Sequence, residues 1–420
     1  MHVSGRAGWR GVALALATVA WGGNQFTPLL VMYRQHSGFS NQAVTVLLAA
    51  YVVGIIPALL LGGPLSDRYG RRPLMYPAAP IAAVGSLLLA AGADSEPLLF
   101  AGRMLSGIAL GLGMAVGTSW LKELRPSSGA SLASTSLTAG FAVGAGVAAA
   151  LAQFAPWPTG MAYVLHILVA VLASLFLIGT PETRSPSSQG PSGSRSLSKG
   201  SRRLVSDLIV PAARQRRFAL VVLPMAPWIF GFAGSAYAIL PNLLLGWSKG
   251  LATGLSGLHC LIALGCGIAV QPLGRRLGSY GATVAIGTGL GVGLAGLLIG
   301  GFAIVLMAPA GFLLAAAVLG CGYGLLMVSG LGEVQRLAGP DDLAGLTAVF
   351  YSLSYLGFFV PAVLAALSTR IGYPVMFAGG AVLALLALGV VLAGGRATRP
   401  DAALPASMPA SRELVADRAD

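Results

Sequence analysis

Acidic side chains are scarce in this chain. Its 420 residues hold 13 Asp and Glu against 26 Lys and Arg, and charged residues of both signs make up only 9%. Soluble domains carry about a quarter, so the deficit argues against an ordinary soluble fold. The scarcity is also positional: every Asp and Glu falls in a loop, a tail or the end of an apolar run. Cysteine is rarer still. Cys260, Cys266 and Cys321 all lie inside apolar stretches, so no disulfides are expected. Also missing are a phosphate-cradling Gly-Lys-Ser/Thr loop and any His, Cys, Asp or Glu cluster at metal-ligand or triad spacing. No enzyme activity, no cofactor, no bound metal and no ATP hydrolysis are therefore expected.

What fills the chain instead is apolar, at 56% of residues. Runs of about 20 residues, long enough to cross a bilayer, fall near 11–33, 44–64, 73–93, 97–120, 130–155, 160–180, 218–245, 251–272, 280–302, 305–330, 342–367 and 373–394. Membrane barrels need short alternating segments, whereas these runs are continuous, so they read as helices. The expected fold is an all-α polytopic membrane protein with twelve transmembrane helices. The first run holds Trp21, Asn24, Gln25 and Pro28 with no small-residue cleavage site after it, unlike a cleavable signal peptide.

The formal net charge of +13 is unevenly spread. One set of alternate loops holds Arg6, Arg10, Arg68, Arg71, Arg72, Lys122, Arg125, Arg275, Arg276 and Arg336, together with the linker and the tail. The other set holds only Arg34, Lys249 and Arg370. This is the positive-inside pattern, which places both termini in the cytoplasm and accounts for the charge by topology, without nucleic acid. Residues 181–217 are rich in Ser, Gly, Pro and Arg and read as a flexible linker, in which Leu204, Val205, Leu208 and Ile209 form one face of a brief surface helix. The tail 396–420 reads as disordered.

The chain also repeats. Pro64, Leu65, Arg68 and Gly70 recur as Pro272, Leu273, Arg276 and Gly278. Ala101, Gly102, Leu105, Leu110, Gly111 and Gly113 recur as Ala310, Gly311, Leu314, Leu319, Gly320 and Gly322. Gly140 and Val143 recur as Gly357 and Val360. Three matches in one order at a nearly constant offset divide the chain into pseudo-symmetric six-helix bundles at 1–180 and 218–395. Parallel repeats of this kind suggest two bundles rocking about a site between them.

The stretch Gly63-Pro-Leu-Ser-Asp-Arg-Tyr-Gly-Arg-Arg72 gathers charge between the second and third runs. It resembles the signature loop of the major facilitator superfamily. Arg103-x-x-x-Gly107-x-x-x-Gly111-x-Gly113 is similar to that superfamily's fourth-helix motif, and Pro181-Glu-Thr-Arg184 to the cap found after the sixth helix of many members. The resemblance covers residues 10–395. It implies a latch formed by Gly63, Asp67, Arg68, Gly70, Arg71 and Arg72 at the cytoplasmic side, with the eleventh helix as partner. Asp341 and Asp342 at the start of that helix are alternative partners for Arg71 or Arg72. The second copy of the loop has Arg275 where the first has Asp67.

Arg103 is the one strong charge inside a predicted span. It must find a partner or reach the interface, and the resemblance gives it a role in proton transfer or a buried network. His166 and His259 are the other titratable candidates for a proton relay, while Glu333 reads as a salt-bridge or cap residue. Candidate substrate contacts are the polar and aromatic residues deep in the runs: Trp21, Asn24 and Gln25, then Trp228, Phe232 and Tyr237, then Tyr351 and Tyr355, which share a helix face. Such a cavity suits a small, neutral or weakly charged, partly apolar molecule. Proton-coupled efflux by a monomer in the cytoplasmic membrane is the first expectation. Uptake or facilitated diffusion is the alternative, and a non-transporting sensor a remote third. Gly140-x-x-x-Gly144-Ala-Gly146 keeps the spacing of the exporters' fifth-helix motif but lacks its proline and paired glycines.

Overall fold

The computed structural model describes residues 8–184, 210–248, 250–339 and 342–398. The expected surface helix at Leu204–Ile209, the tail beyond Thr398, Lys249 and Asp341 lie outside the described residues. Among the described residues every regular element is helical. In the first half these are α1 (Gly8–Asn24), α2 (Leu30–His36), α3 (Asn41–Tyr69), α4 (Arg71–Ala91), α5 (Glu96–Leu124), α6 (Gly129–Phe154) and α7 (Met161–Leu177). The second half holds α8 (Phe218–Leu243), α9 (Ala252–Ser279), α10 (Ala282–Leu306), α11 (Pro309–Leu337), α12 (Leu343–Leu367) and α13 (Tyr373–Ala397). Ten of them, α3–α6 and α8–α13, are long and apolar enough to cross a bilayer.

The local chemistry explains the boundaries. Ser40 caps α3, its Oγ accepting from the Ala43 amide at 3.0 Å. Pro97, Pro309 and Pro374 stand in the first turns of their helices, where a missing N–H costs nothing. The first expected run is not one helix. Pro28 has no N–H to continue the α1 ladder, so the chain passes through a tight turn at Thr27–Leu29 before α2 resumes. α7 is also shorter than its expected run, at 17 residues.

Within the first half α3 packs on α5, and within the second α9 packs on α11. Both contacts depend on glycine: a Cβ on Gly107 would lie 2.0 Å from the Tyr51 carbonyl oxygen, and one on Gly320 would lie 2.1 Å from that of Ala263. The halves meet along two seams, α3 against α12 and α6 against α9. Leucines such as Leu383, Leu385 and Leu386 on α13 face outward, as on a helix that is apolar all round.

Candidate functional site

A cavity of about 30 Å³ lies between the halves. The first half supplies Asn24, Thr27, Tyr51, Arg103 and Phe141; the second supplies Phe230, Tyr237, Leu264, Tyr323, Tyr355 and Phe358. Its wall is a nest of rings. Phe230 stacks on Tyr355 at 4.5 Å and on Phe358 at 4.7 Å, and Tyr51 meets Tyr355 and Phe358 edge-on at 5.7 and 5.5 Å. Tyr51 thus reaches across from the first half into a cluster made by the second. The volume holds about one water molecule, so a larger guest needs the halves to move apart. A wider open groove of about 520 Å³ lies elsewhere, between the starts of α3 and α5. Its walls are mostly apolar, with Glu96 its one charged side chain, and it touches none of the buried polar groups, so the central cavity is the candidate site.

Arg103 stands at the edge of that cavity, and its solvent exposure is 0%. Its guanidinium donates to the carbonyl oxygens of Gly23 at 3.1 Å, Leu47 at 3.3 Å and Leu48 at 3.4 Å. It also lies over the rings of Phe26 and Tyr51, at 4.8 and 4.7 Å from their centroids. It therefore does not snorkel; the break after α1 and the close approach of α3 give it carbonyls to hold deep inside. Among the described residues no carboxylate pairs with it. The geometry leaves a full positive charge beside aromatic walls, compensated only by dipoles and ring faces.

The other expected site residues divide. Asn24, Tyr237 and Tyr355 line the cavity. Asn24 is held there by donating to the Phe141 carbonyl oxygen at 3.0 Å and accepting from Thr27 at 2.9 Å. A local widening of the helix at Ser235–Ile239 carries Tyr237. Trp21, Gln25, Trp228, Phe232 and Tyr351 are not part of the lining. Trp228 and Phe232 pack on each other at 5.1 Å, with Phe232 against Gly293, while Phe230 turns to the cavity. Tyr351 packs on Phe350, one turn away from Tyr355.

His166 belongs to a chain of hydrogen bonds within the first half. Its Nε2 lies 3.0 Å from the Thr18 carbonyl oxygen and must donate there, so its Nδ1 accepts from Ser86 Oγ at 2.8 Å; Gln25 Nε2 donates to the same hydroxyl at 2.8 Å. Both ring nitrogens are engaged, which ties α1, α4 and α7 together. His259 donates from Nδ1 to the Leu255 carbonyl oxygen at 2.9 Å, and its buried Nε2 has no partner among the described residues.

At the arginine-rich end the charged turn and the 181–184 segment meet. Gly70 adopts φ +99°, and a Cβ there would lie 2.8 Å from Glu182 Oε2. The Glu182 carboxylate accepts from the amides of Arg71 and Arg72, at 2.9 and 2.8 Å, and so caps the start of α4. Partial burial pushes this carboxyl up, but the amides of Arg72, Arg184, Arg71 and Thr183 outweigh it and hold it below the usual range. Asp67 pairs with Arg71 at 2.9 Å and Arg184 at 3.2 Å; Arg71, nearly buried, also holds Glu123 at 2.7 Å. Arg72 donates to Tyr76 and to the Ile178 carbonyl oxygen. Arg71 and Arg72 thus take partners from the first half and the 181–184 segment, while Asp341, one of the two acids expected to attract them, lies outside the described residues. Glu333, as expected, is a salt-bridge residue, paired with Arg217 and Arg336.

The family profile described as Major Facilitator Superfamily matches residues 12–360. The chain belongs to this superfamily. The 4-hydroxybenzoate transporter PcaK of Pseudomonas aeruginosa is 33% identical over 153 residues, which is 36% of this chain and 34% of that protein. The gallate transporter of Pseudomonas putida is 34% identical over 113 residues, 27% of this chain and 25% of that one. The chain thus matches about a third or less of the length of these relatives. The crystal structure of a POT family transporter in complex with 5-aminolevulinic acid superposes with a TM-score of 0.74 at 12% identity, covering 93% of this chain and 97% of that one. That likeness shows a shared fold over nearly the whole chain.

In this member of the superfamily the two ends are held differently. At the arginine-poor end hydrogen bonds cross between halves: Arg34 to Asn242 at 2.9 Å, Asn41 to Tyr373 at 2.9 Å, and Gln153 to the Gly250 carbonyl oxygen at 3.0 Å. At the arginine-rich end every ion pair among the described residues stays within one half or between it and the 181–184 segment.

Proposed function

We propose that the chain is a twelve-span secondary transporter that takes up a small aromatic carboxylate by alternating access. In this reading two six-helix bundles joined by the 181–217 linker rock about the central cavity, and both termini face the cytoplasm. Arg103 carries the proposal: a buried guanidinium without a carboxylate, beside stacked rings, is half of a carboxylate site. The guest's carboxylate pairs with Arg103, and its ring lies among Tyr51, Phe230, Tyr355 and Phe358. Asn24 and Tyr237 offer hydrogen bonds to ring substituents. The names of the relatives, transporters of 4-hydroxybenzoate and gallate, support the same chemistry. Of the neutral or weakly charged molecules that the sequence leads one to expect, a neutral one would leave Arg103 without a counter-charge, whereas a monocarboxylate supplies it. Export loses ground because the fifth-helix motif lacks the exporters' proline and paired glycines.

Uptake of radiolabelled 4-hydroxybenzoate by cells expressing the protein tests the reading. Expressing cells should accumulate label above vector controls, and Arg103→Gln should lower the initial rate by about tenfold or more, as loss of a desolvated charge pair does. Accumulation below the control would mark export instead, and an unchanged rate in Arg103→Gln would remove the proposed anchor.

A further inference from the structure

The charge on Arg103 has a consequence for how the cycle closes. Every Asp and Glu among the described residues lies at or near the end of a helix or in a connecting segment, away from Arg103 in the middle of the bundle. The ionisable groups that share the cavity with Arg103 are the phenols Tyr51, whose ring lies under the guanidinium, Tyr237, Tyr323 and Tyr355, all neutral at pH 7 because a phenol ionises only near pH 10. Tyr33 and Tyr163 hold each other, hydroxyl to hydroxyl, at 2.9 Å. His166 has both ring nitrogens engaged in the α1–α4–α7 network. Among the described residues no built-in anion is therefore placed to neutralise Arg103 when the cavity closes on both sides.

We infer that the protein is an anion exchanger, which changes its facing readily only when a carboxylate sits on Arg103. With a carboxylate bound, the occluded site is a neutral ion pair. Without one, the same closure leaves the cation only the dipoles of the Gly23, Leu47 and Leu48 carbonyls and the faces of Phe26 and Tyr51, and burial of a charge without a counter-charge is disfavoured. The empty carrier is then the slow form, and net flux in one direction is slow. Exchange of an outer carboxylate for an inner one avoids the empty step altogether. One anion enters as one leaves, so the exchange is electroneutral. This inference rests on the carboxylate reading of the site and adds the coupling mode to it.

The test uses the purified full-length protein in liposomes, with equal potassium on both sides and valinomycin to hold the membrane potential at zero. Radiolabelled 4-hydroxybenzoate is supplied outside. Uptake into liposomes loaded with unlabelled 4-hydroxybenzoate should be at least about tenfold faster than into liposomes loaded with buffer, the factor expected when a bare buried charge slows one limb of the cycle. Loading with benzyl alcohol, which lacks the carboxylate, should give no acceleration. A ratio near one overturns the exchange mechanism. So does an inward proton gradient that drives uptake into buffer-loaded liposomes as fast as internal 4-hydroxybenzoate does. In both cases the functional proposal stands if 4-hydroxybenzoate still quenches the tryptophan fluorescence of the protein. Failure of both quenching and uptake overturns the functional proposal, and the exchange mechanism with it.

Discussion

The two halves carry the same acid at the arginine-rich end and satisfy it in different ways. Glu123 closes α5 in the first half, and Glu333 stands near the end of α11 in the second. Glu123 takes its cations from the start of α4, through Arg71, and from the 181–184 segment, through Arg184 at 3.7 Å, and is further bound by Thr183. Glu333 takes its cations from the segment leading into α8 and from its own helix, through Arg217 and Arg336. The turn in the second half, with Arg275 at the position of Asp67, leaves Arg275 and Arg276 exposed. Asp67 is itself 46% exposed, yet it shares the network with Arg71 and Arg184. Of the two related turns, then, the first holds an exposed acid that can exchange partners. The second holds only like charges.

Substitutions in the two networks test that contrast. The largest loss of stability is expected from Arg71→Met, which removes a nearly buried cation facing Asp67 and Glu123. The cost should be about 3 kcal/mol, the range for breaking a buried pair, seen as a lower Tm of the purified protein in detergent. Glu333→Gln should cost less, about 2 kcal/mol, because Arg217 and Arg336 retain access to water. Equal losses in the two variants would mean that the halves are fastened alike. Asp67→Asn should change stability by less than about 1 kcal/mol, as for an exposed pair, while transport falls sharply and expression stays near normal. Full transport in Asp67→Asn would reduce the first turn to the status of the second.

The smallest effect concerns Glu182 and acid. Its carboxyl is held below the ordinary carboxylate value of about 4.3. The stabilisation it contributes is therefore complete above that value and is lost as pH falls through the lower, folded value. The Tm difference between the wild type and Glu182→Gln should be constant from pH 7 to about pH 5 and should shrink in stronger acid. A constant difference at all pH values would show that the amides of Arg71 and Arg72 do not depend on the carboxylate.

The candidate site was half legible in the sequence. Arg103, Asn24, Tyr237 and Tyr355 could be picked out because a charge, an amide or a phenol deep in an apolar run needs a reason to be there. Phe230, Phe358, Phe141 and Leu264 carry no such signal, since an apolar side chain suits lipid, a helix neighbour or a cavity equally well. Tyr51 and Tyr323 had the polar signal, but only the α3–α5 and α9–α11 contacts show that their helices border the cavity. Trp228 and Phe232 illustrate the opposite error. They share one face of α8, and Phe232 on that face packs on α10 at Gly293, while Phe230 between them turns to the cavity. Tyr351 has the right face of α12 at the wrong depth.

That the chain is a helical membrane protein is written in its long apolar runs, because hydrocarbon accepts only segments whose backbone bonds are satisfied internally. The sequence also identified the charged turn, since charge in so apolar a chain is confined to places where water or a partner receives it. Only the tertiary structure decided what Arg103 does with its charge. Along one helix an arginine has equal licence to reach for the interface or to turn inward. The carbonyls of Gly23, Leu47 and Leu48 come from two other helices, and they meet the guanidinium only once α1 has broken and α3 has packed against α5.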